Sequence, residues 1–240
     1  MKSISSQFRI PEIAGADASP AAKIQCVYHG WQYGEQCEMC ELERERAERS
    51  MFAKCESMGL APRYHCIRFD DYRTELPGQA KAVEAARKFI AGDYHVLVLR
   101  GSDRSEGYGT GKTMLSAIIL YERLIESGSA GIYSTADRLI AELKDSIEAK
   151  SGETQRIKDR YIKVGLLVID ELLADPMSGW AGKQISDIIA ERIDYGRQTI
   201  IASNRDAKKI AGALHPRTMD RLQACSVGVV FDWPSERGAA

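Results

Sequence analysis

From about residue 79 onward, the hydrophobic positions of the chain follow two alternating periods. Five short apolar runs read as strands buried on both faces: Val96 to Leu99, Gly131 to Ser134, Leu166 to Ile169, Thr199 to Ala202 and Val227 to Phe231. Between them, apolar residues recur at helical spacing. The sets are Ala82, Val83, Ala86, Phe89 and Ile90; the apolar stretch from Met114 to Ile125; Leu139, Ile140, Leu143 and Ile147; and Ile185, Ile188, Ile189 and Ile193. Strands alternating with helices predict an α/β domain built on a mainly parallel, doubly wound sheet.

The chain upstream does not follow this pattern. Residues 1–22 carry Ser, Ala, Gly and two prolines without periodicity and read as a flexible lead-in. Glu41 to Met58 has helical composition, mixed charge and a thin apolar face of Ala47, Met51 and Cys55, as for a linker helix. Pro62 to Pro77 is irregular, with Tyr64, Phe69 and Tyr72 as packing anchors. The expected organisation is a lead-in over 1–22, a small N-terminal region over 23–60 and the α/β domain over 61–240.

Composition narrows the class. Apolar residues make up 44% of the 240 positions and charged residues 28%, as in an ordinary globular protein with enough material for a core. No apolar run reaches membrane-spanning length and no signal-peptide pattern opens the chain, so a cytoplasmic protein without membrane contact is expected. A net charge of −1 excludes a globally basic nucleic-acid binder, leaving any such contact to a local patch.

Six cysteines in such a compartment argue against a disulfide framework. Four potential ligands, Cys26, His29, Cys37 and Cys40, are paired at two-residue gaps across a short Gly- and aromatic-containing span. That spacing suits a zinc-binding hairpin, in which metal supplies the folding energy that so short a stretch lacks. Free thiols with a surface histidine are the alternative.

The segment after the first buried strand carries the chemistry. Gly107-Tyr108-Gly109-Thr110-Gly111-Lys112-Thr113 follows Val96 to Leu99 and opens the apolar stretch from Met114. Strand, glycine loop, Lys-Thr and helix form the phosphate-binding loop of a nucleoside triphosphatase. Glycines let backbone N–H groups approach phosphate oxygens, and the helix N-terminus adds positive potential. Lys112 would meet the outer phosphates and the Thr113 hydroxyl a Mg²⁺ ion. One departure stands out: Glu106 occupies the position of the usual first glycine, so the run Ser102 to Glu106 reads as an insertion before the working loop.

Two later strands end in polar groups. Leu166 to Ile169 runs into Asp170-Glu171, where Asp170 would hold Mg²⁺ and Glu171 would activate the attacking water. Thr199 to Ala202 runs into Ser203-Asn204, whose amide could hydrogen-bond that water or the terminal phosphate. An ordinary strand-end cap is the alternative for Asn204.

The order of these motifs, followed by Arg217-Thr-Met-Asp-Arg221-Leu222 and Phe231-Asp-Trp-Pro-Ser235-Glu-Arg237, resembles the DnaC-type replicative helicase loaders, a branch of the AAA+ ATPases. The resemblance covers roughly Ala61 to Arg237, and a Cys/His knuckle like Cys26 to Cys40 is found in phage and prophage loaders. It implies an AAA+ P-loop core using ATP, with Asn204 as first sensor, Arg221 as an arginine finger for a neighbouring subunit and Arg237 as second sensor. It further implies loading of a DnaB-type helicase through the N-terminal region, single-stranded DNA as a partner, and self-association through the ATP sites. Lys150, Arg156, Lys158, Arg160 and Lys163 sit where such loaders carry a DNA element; a solvated face is the alternative. An IstB-type transposition ATPase shares the same core, and an adaptor that binds nucleotide without hydrolysing it is the rival from another class.

Overall fold

The computed structural model describes residues 23–26, 30–33, 38–102, 108–128, 131–147 and 152–236. It separates into two compact units that divide in the chain between Ser57 and Met58.

The first unit contains an antiparallel hairpin, β1 (Lys23–Cys26) and β2 (Gly30–Tyr33), in which Cys26 pairs with Gly30. A 20-residue helix follows, α1 (Glu38–Ser57), whose exposed charged residues form i,i+3 and i,i+4 pairs such as Arg49–Glu45 at 2.8 Å. Of the proposed zinc ligands only Cys40 is described in full; the Cys26 side chain, His29 and Cys37 lie outside the described residues.

The second unit is a five-stranded sheet: β3 (Val96–Arg100), β4 (Ile132–Thr135), β5 (Leu166–Asp170), β6 (Gln198–Ser203) and β7 (Ser226–Val230). Every pairing is parallel and the spatial order is β4-β5-β6-β3-β7. All five apolar runs thus became strands. The middle of the sheet is buried on both faces, which is why β5 reads as an unbroken run from Leu166 to Ile169.

Helices α2 (Pro77–Ala91) and α3 (Lys112–Ser127) pack together against the strands. Helices α4 (Ala136–Ile147), α5 (Glu153–Lys163), α6 (Gly179–Asp194) and α8 (Pro216–Cys225) enclose the main apolar cluster, which includes Leu139, Leu143, Tyr161, Ile185, Ile188, Ile189 and Leu222. A short α7 (Ala207–Ala213) joins β6 to α8. Two single 3₁₀ turns, Pro62–Tyr64 and Phe69–Asp71, break the stretch expected to be irregular, and Phe69 and Tyr72 are buried there as anchors.

Two details differ from the periodicity. Ile147, assigned to the apolar face of α4, is 59% exposed because the helix ends there, past the edge of the core. On α6 the fourth buried position after Ile185, Ile188 and Ile189 is Arg192, not Ile193. That arginine is fully buried. Its guanidinium donates to Thr199 Oγ1 at 2.9 Å and to the carbonyls of Tyr161 (2.7 Å), Ile162 (2.9 Å), Val164 (2.7 Å), Gly165 (3.4 Å) and Gln198 (2.6 Å). Burial, with the nearby Arg197 as a smaller cause, pushes it down to about 9. Three of its acceptors lie in or just past the last turn of α5, whose end carbonyls have no partner within the helix.

The polar segment before β5 is therefore a helix, α5, fixed at its C-terminus by arginine. Its cations are compensated: Lys158 lies 3.9 Å from Asp187 and Arg156 lies 3.8 Å from Glu153. Arg160 pairs with Glu142 and Lys163 with Asp159. Lys150 lies outside the described residues.

Candidate functional site

Because β6 lies between β3 and β5, the C-terminal ends of the three strands stand side by side, and each carries one of the motifs. In an open α/β sheet this edge is where ligands bind. After β3 the backbone turns through Gly109 (φ +70°) and Gly111 (φ +90°), left-handed conformations that favour glycine, and α3 begins at Lys112. A Cβ on Gly111 would also stand 3.0 Å from the Tyr72 hydroxyl, so the position excludes a side chain on two grounds. Gly107 lies outside the described residues.

Lys112 is only 6% exposed. Its ammonium sits 3.2 Å from Thr110 Oγ1 and 5.4 Å from the centre of the Phe231 ring. An ammonium so buried beside a glycine loop and a helix N-terminus provides concentrated positive charge for an anion.

Thr113 and Asp170, 57 residues apart, meet directly: Thr113 Oγ1 donates to Asp170 Oδ2 at 2.7 Å. Tyr133, on β4, donates to the same oxygen at 2.5 Å, and the Glu171 N–H donates to Oδ1 at 2.7 Å. Asp170 is 3% exposed. Burial first, and then the neighbouring Asp170 carboxylate, push the Tyr133 phenol well above its usual range. Hard oxygen donors from Thr113 and Asp170 beside a phosphate loop fit a Mg²⁺ ion.

Glu171 is exposed and stands in the left-handed region at φ +54°, as does Leu173 at φ +65°. Between them Leu172 is fully buried, its N–H bonded to the carbonyl of Ala202, while Arg205 donates to the Leu173 carbonyl. The buried leucine and these two bonds hold the strained turn, which leaves the Glu171 carboxylate outside the core. Asn204 follows β6 and is half-buried; since Ser203 pairs with Arg100, it lies level with the start of the loop after β3.

Arg221 stands apart from this edge. It is exposed on α8 and its guanidinium pairs with Asp194 at 2.8 Å. Arg237 lies outside the described residues.

The segment around Trp233, in sequence only part of the resemblance, has structural work that its residues did not announce. The Trp233 indole donates to the Thr110 carbonyl at 3.1 Å, and the Glu236 N–H donates to the Gly109 carbonyl at 3.0 Å. Gln79, on α2, holds the Glu236 carboxylate in turn, and Gly78 lies under the Trp233 ring. The phosphate loop is therefore clamped from outside through the carbonyls of Gly109 and Thr110.

Comparison with known proteins agrees with this geometry. Residues 5–220 match the IstB-like ATP binding protein family. The replicative helicase loader DnaC of Escherichia coli K12 is 28% identical over 234 residues, covering 95% of this chain and 93% of that protein. The crystal structure of the DnaC helicase loader superposes with a TM-score of 0.61 at 25% identity, covering 71% of this chain and 99% of that one. That of DnaI gives 0.60 at 25% identity, covering 72% and 95%.

Proposed function

Because the chain belongs to the IstB-like ATP binding protein family, we propose that it is a replicative helicase loader that binds and hydrolyses ATP. The observation that carries the loader reading is the length of the likeness to E. coli DnaC, which spans 95% of this chain and so includes the N-terminal unit as well as the nucleotide core. In this reading a DnaB-type helicase engages the N-terminal unit, and single-stranded DNA and further copies of the chain engage the core.

Each residue of the sheet edge has a task. Backbone N–H groups of Gly109 to Lys112 hold the phosphates, and the Lys112 ammonium neutralises the outer ones. Thr113 and Asp170 would hold Mg²⁺, which when bound offsets charge on the phosphate oxygens. Glu171, exposed at the mouth, takes the proton of the attacking water. Asn204 orients that water without adding charge, and Arg237 would meet the phosphates from the C-terminal segment. Among the described residues no helix is long and apolar enough to cross a membrane.

Binding and hydrolysis separate by mutation. Lys112→Ala should weaken ATP binding, and Glu171→Gln should bind ATP as the parent does while turnover falls by about 10²–10⁴. An unchanged hydrolysis rate in Glu171→Gln removes that carboxylate from the mechanism. For the partner, immobilised protein with ATP should retain purified DnaB-type helicase and promote its loading onto single-stranded DNA. Retention of a transposase instead would replace the loader reading with transposition.

The N-terminal unit carries a separate expectation. In the same proposal Cys26, His29, Cys37 and Cys40 hold one zinc ion, with Cys26 closing β1 opposite Gly30 and Cys40 in the first turn of α1. Metal analysis of the purified chain should give about one equivalent. A folded N-terminal unit without metal would exclude the site.

A further inference from the structure

Asp170 is more fully engaged than a carboxylate awaiting a metal needs to be. Two hydroxyls, from Thr113 and Tyr133, donate to Oδ2, and these use both lone pairs of that oxygen; the Glu171 N–H uses one of Oδ1. Thr113 comes from the phosphate loop side. Tyr133 comes from the edge strand β4, and no motif of the nucleotide site accounts for it.

The backbone of Tyr133 is tied elsewhere. Its N–H donates to the Met58 carbonyl at 2.7 Å, so the segment after α1 closes the free edge of β4. Gly59, in the left-handed region at φ +89°, lies so close that a Cβ there would stand 2.4 Å from the Tyr133 carbonyl oxygen. The Gly131 N–H, two residues before Tyr133, donates to the Met58 sulfur at 3.3 Å. One residue therefore joins the Met58–Gly59 junction, the first residues after α1, to the carboxylate of the nucleotide site.

We propose that Tyr133 is a positioning residue that latches Asp170 away from the metal and releases it when the Met58–Gly59 junction shifts. The inference rests on the reading of this edge as a Mg²⁺-nucleotide site. Oδ2 is the carboxylate oxygen beside Thr113 Oγ1, so a cation held between these two groups would take one of its lone pairs, and the Tyr133 hydroxyl is the donor that can leave. Losing a hydrogen bond to a charged acceptor weakens binding by about 10-fold or more. Coupling of this kind is reciprocal: whatever displaces the junction strengthens Mg²⁺-nucleotide binding, and the nucleotide in turn loosens the junction.

Tyr133→Phe in the full-length chain tests this, because it keeps the half-buried ring and removes only the donor. Affinity for a fluorescent ATP analogue is measured with Mg²⁺ and with EDTA, and amide exchange of the 58–64 segment is followed with and without Mg²⁺ and ATP. The variant should bind the Mg²⁺ complex about 10-fold more tightly while its affinity in EDTA matches the parent. Mg²⁺ and ATP should speed exchange of the segment in the parent and leave it unaltered in Tyr133→Phe. Equal Mg²⁺ dependence in the two proteins, or weaker Mg²⁺-dependent binding by the variant, overturns the latch. So does a nucleotide response of the segment that survives in Tyr133→Phe. A parent that binds no nucleotide under either condition overturns the nucleotide site itself, and the latch with it.

Discussion

Arg192→Leu should destabilise the fold by about 4 kcal/mol or more. The substitution suits the apolar wall formed by Ile185, Ile188 and Ile189, yet it strands the Thr199 hydroxyl and five backbone carbonyls that the guanidinium now satisfies. Each buried acceptor left without a donor costs about 1–3 kcal/mol. Even if water or relaxation recovers most of them, a loss of about 4 kcal/mol or more remains, against a typical stability of about 5–15 kcal/mol. Arg192→Lys should rescue little, because an ammonium offers three donors from one point where the guanidinium offers five in a planar fork. Thermal or urea unfolding of the soluble fraction measures both. A leucine variant that melts with the parent would mean that the carbonyls find other partners and that the arginine is dispensable.

Mixing two inactive variants, Arg221→Ala and Lys112→Ala, should restore ATP hydrolysis. Were Arg221 a finger for a neighbouring subunit, it would stabilise charge on the transferred phosphoryl group, an effect of about 10³–10⁵ in rate when supplied in trans. The first variant keeps its pocket and lacks the finger; the second keeps the finger and lacks the pocket. Some interfaces in a mixture pair an intact pocket with an intact finger, so activity should exceed that of either protein alone and rise with concentration.

The structure gives a second way to separate a finger from a plain ion pair. Arg221 and Asp194 are both about half exposed, so their pairing contributes only about 0–1 kcal/mol and yields readily to a phosphate. A purely structural pair predicts that Asp194→Ala and Arg221→Ala lose activity alike, whereas a finger predicts that only the arginine variant does. Arg217, one turn away, lines the same cleft of about 260 Å³ between α6 and α8, together with Lys183 and His215. If the finger resides on Arg217, Arg221→Ala will hydrolyse normally and Arg217→Ala will not.

The chemistry of the sheet edge was legible because it is carried by local patterns: a glycine loop before Lys-Thr, and polar groups just past apolar runs. Parallel strands buried on both faces lose the alternation that would mark one face, so an unbroken run such as Leu166 to Ile169 is itself the signal. What escaped notice came from contacts between distant segments. Arg192 falls on the buried face of α6 at the spacing set by Ile188 and Ile189, and its charge diverted the periodicity to Ile193, which is only half-buried. Period alone would have found it, had charge not been taken as a mark of the surface. Helix α5 was hidden for a related reason. Among its 11 residues only Tyr161 and Ile162 are buried, and its end is fixed by a side chain 30 positions away. Tyr133 could be placed on a strand, but nothing nearby in sequence announces Asp170.

The clamp on the phosphate loop has a consequence for the order in which the protein can be made. β3 and the loop are synthesised early, while β7, which pairs with β3 from Val96 opposite Ser226 onward, and the Trp233 and Glu236 contacts to Thr110 and Gly109 come more than a hundred residues later. Contacts of such sequence separation form slowly and only after the intervening chain has been ordered. A nascent chain that has left the ribosome as far as Cys225 would therefore present β3 with an open edge and the phosphate loop without its outer support. Nucleotide should bind only once the final strand and tryptophan segment have emerged, so the competence of the loop reports completion of the fold behind it.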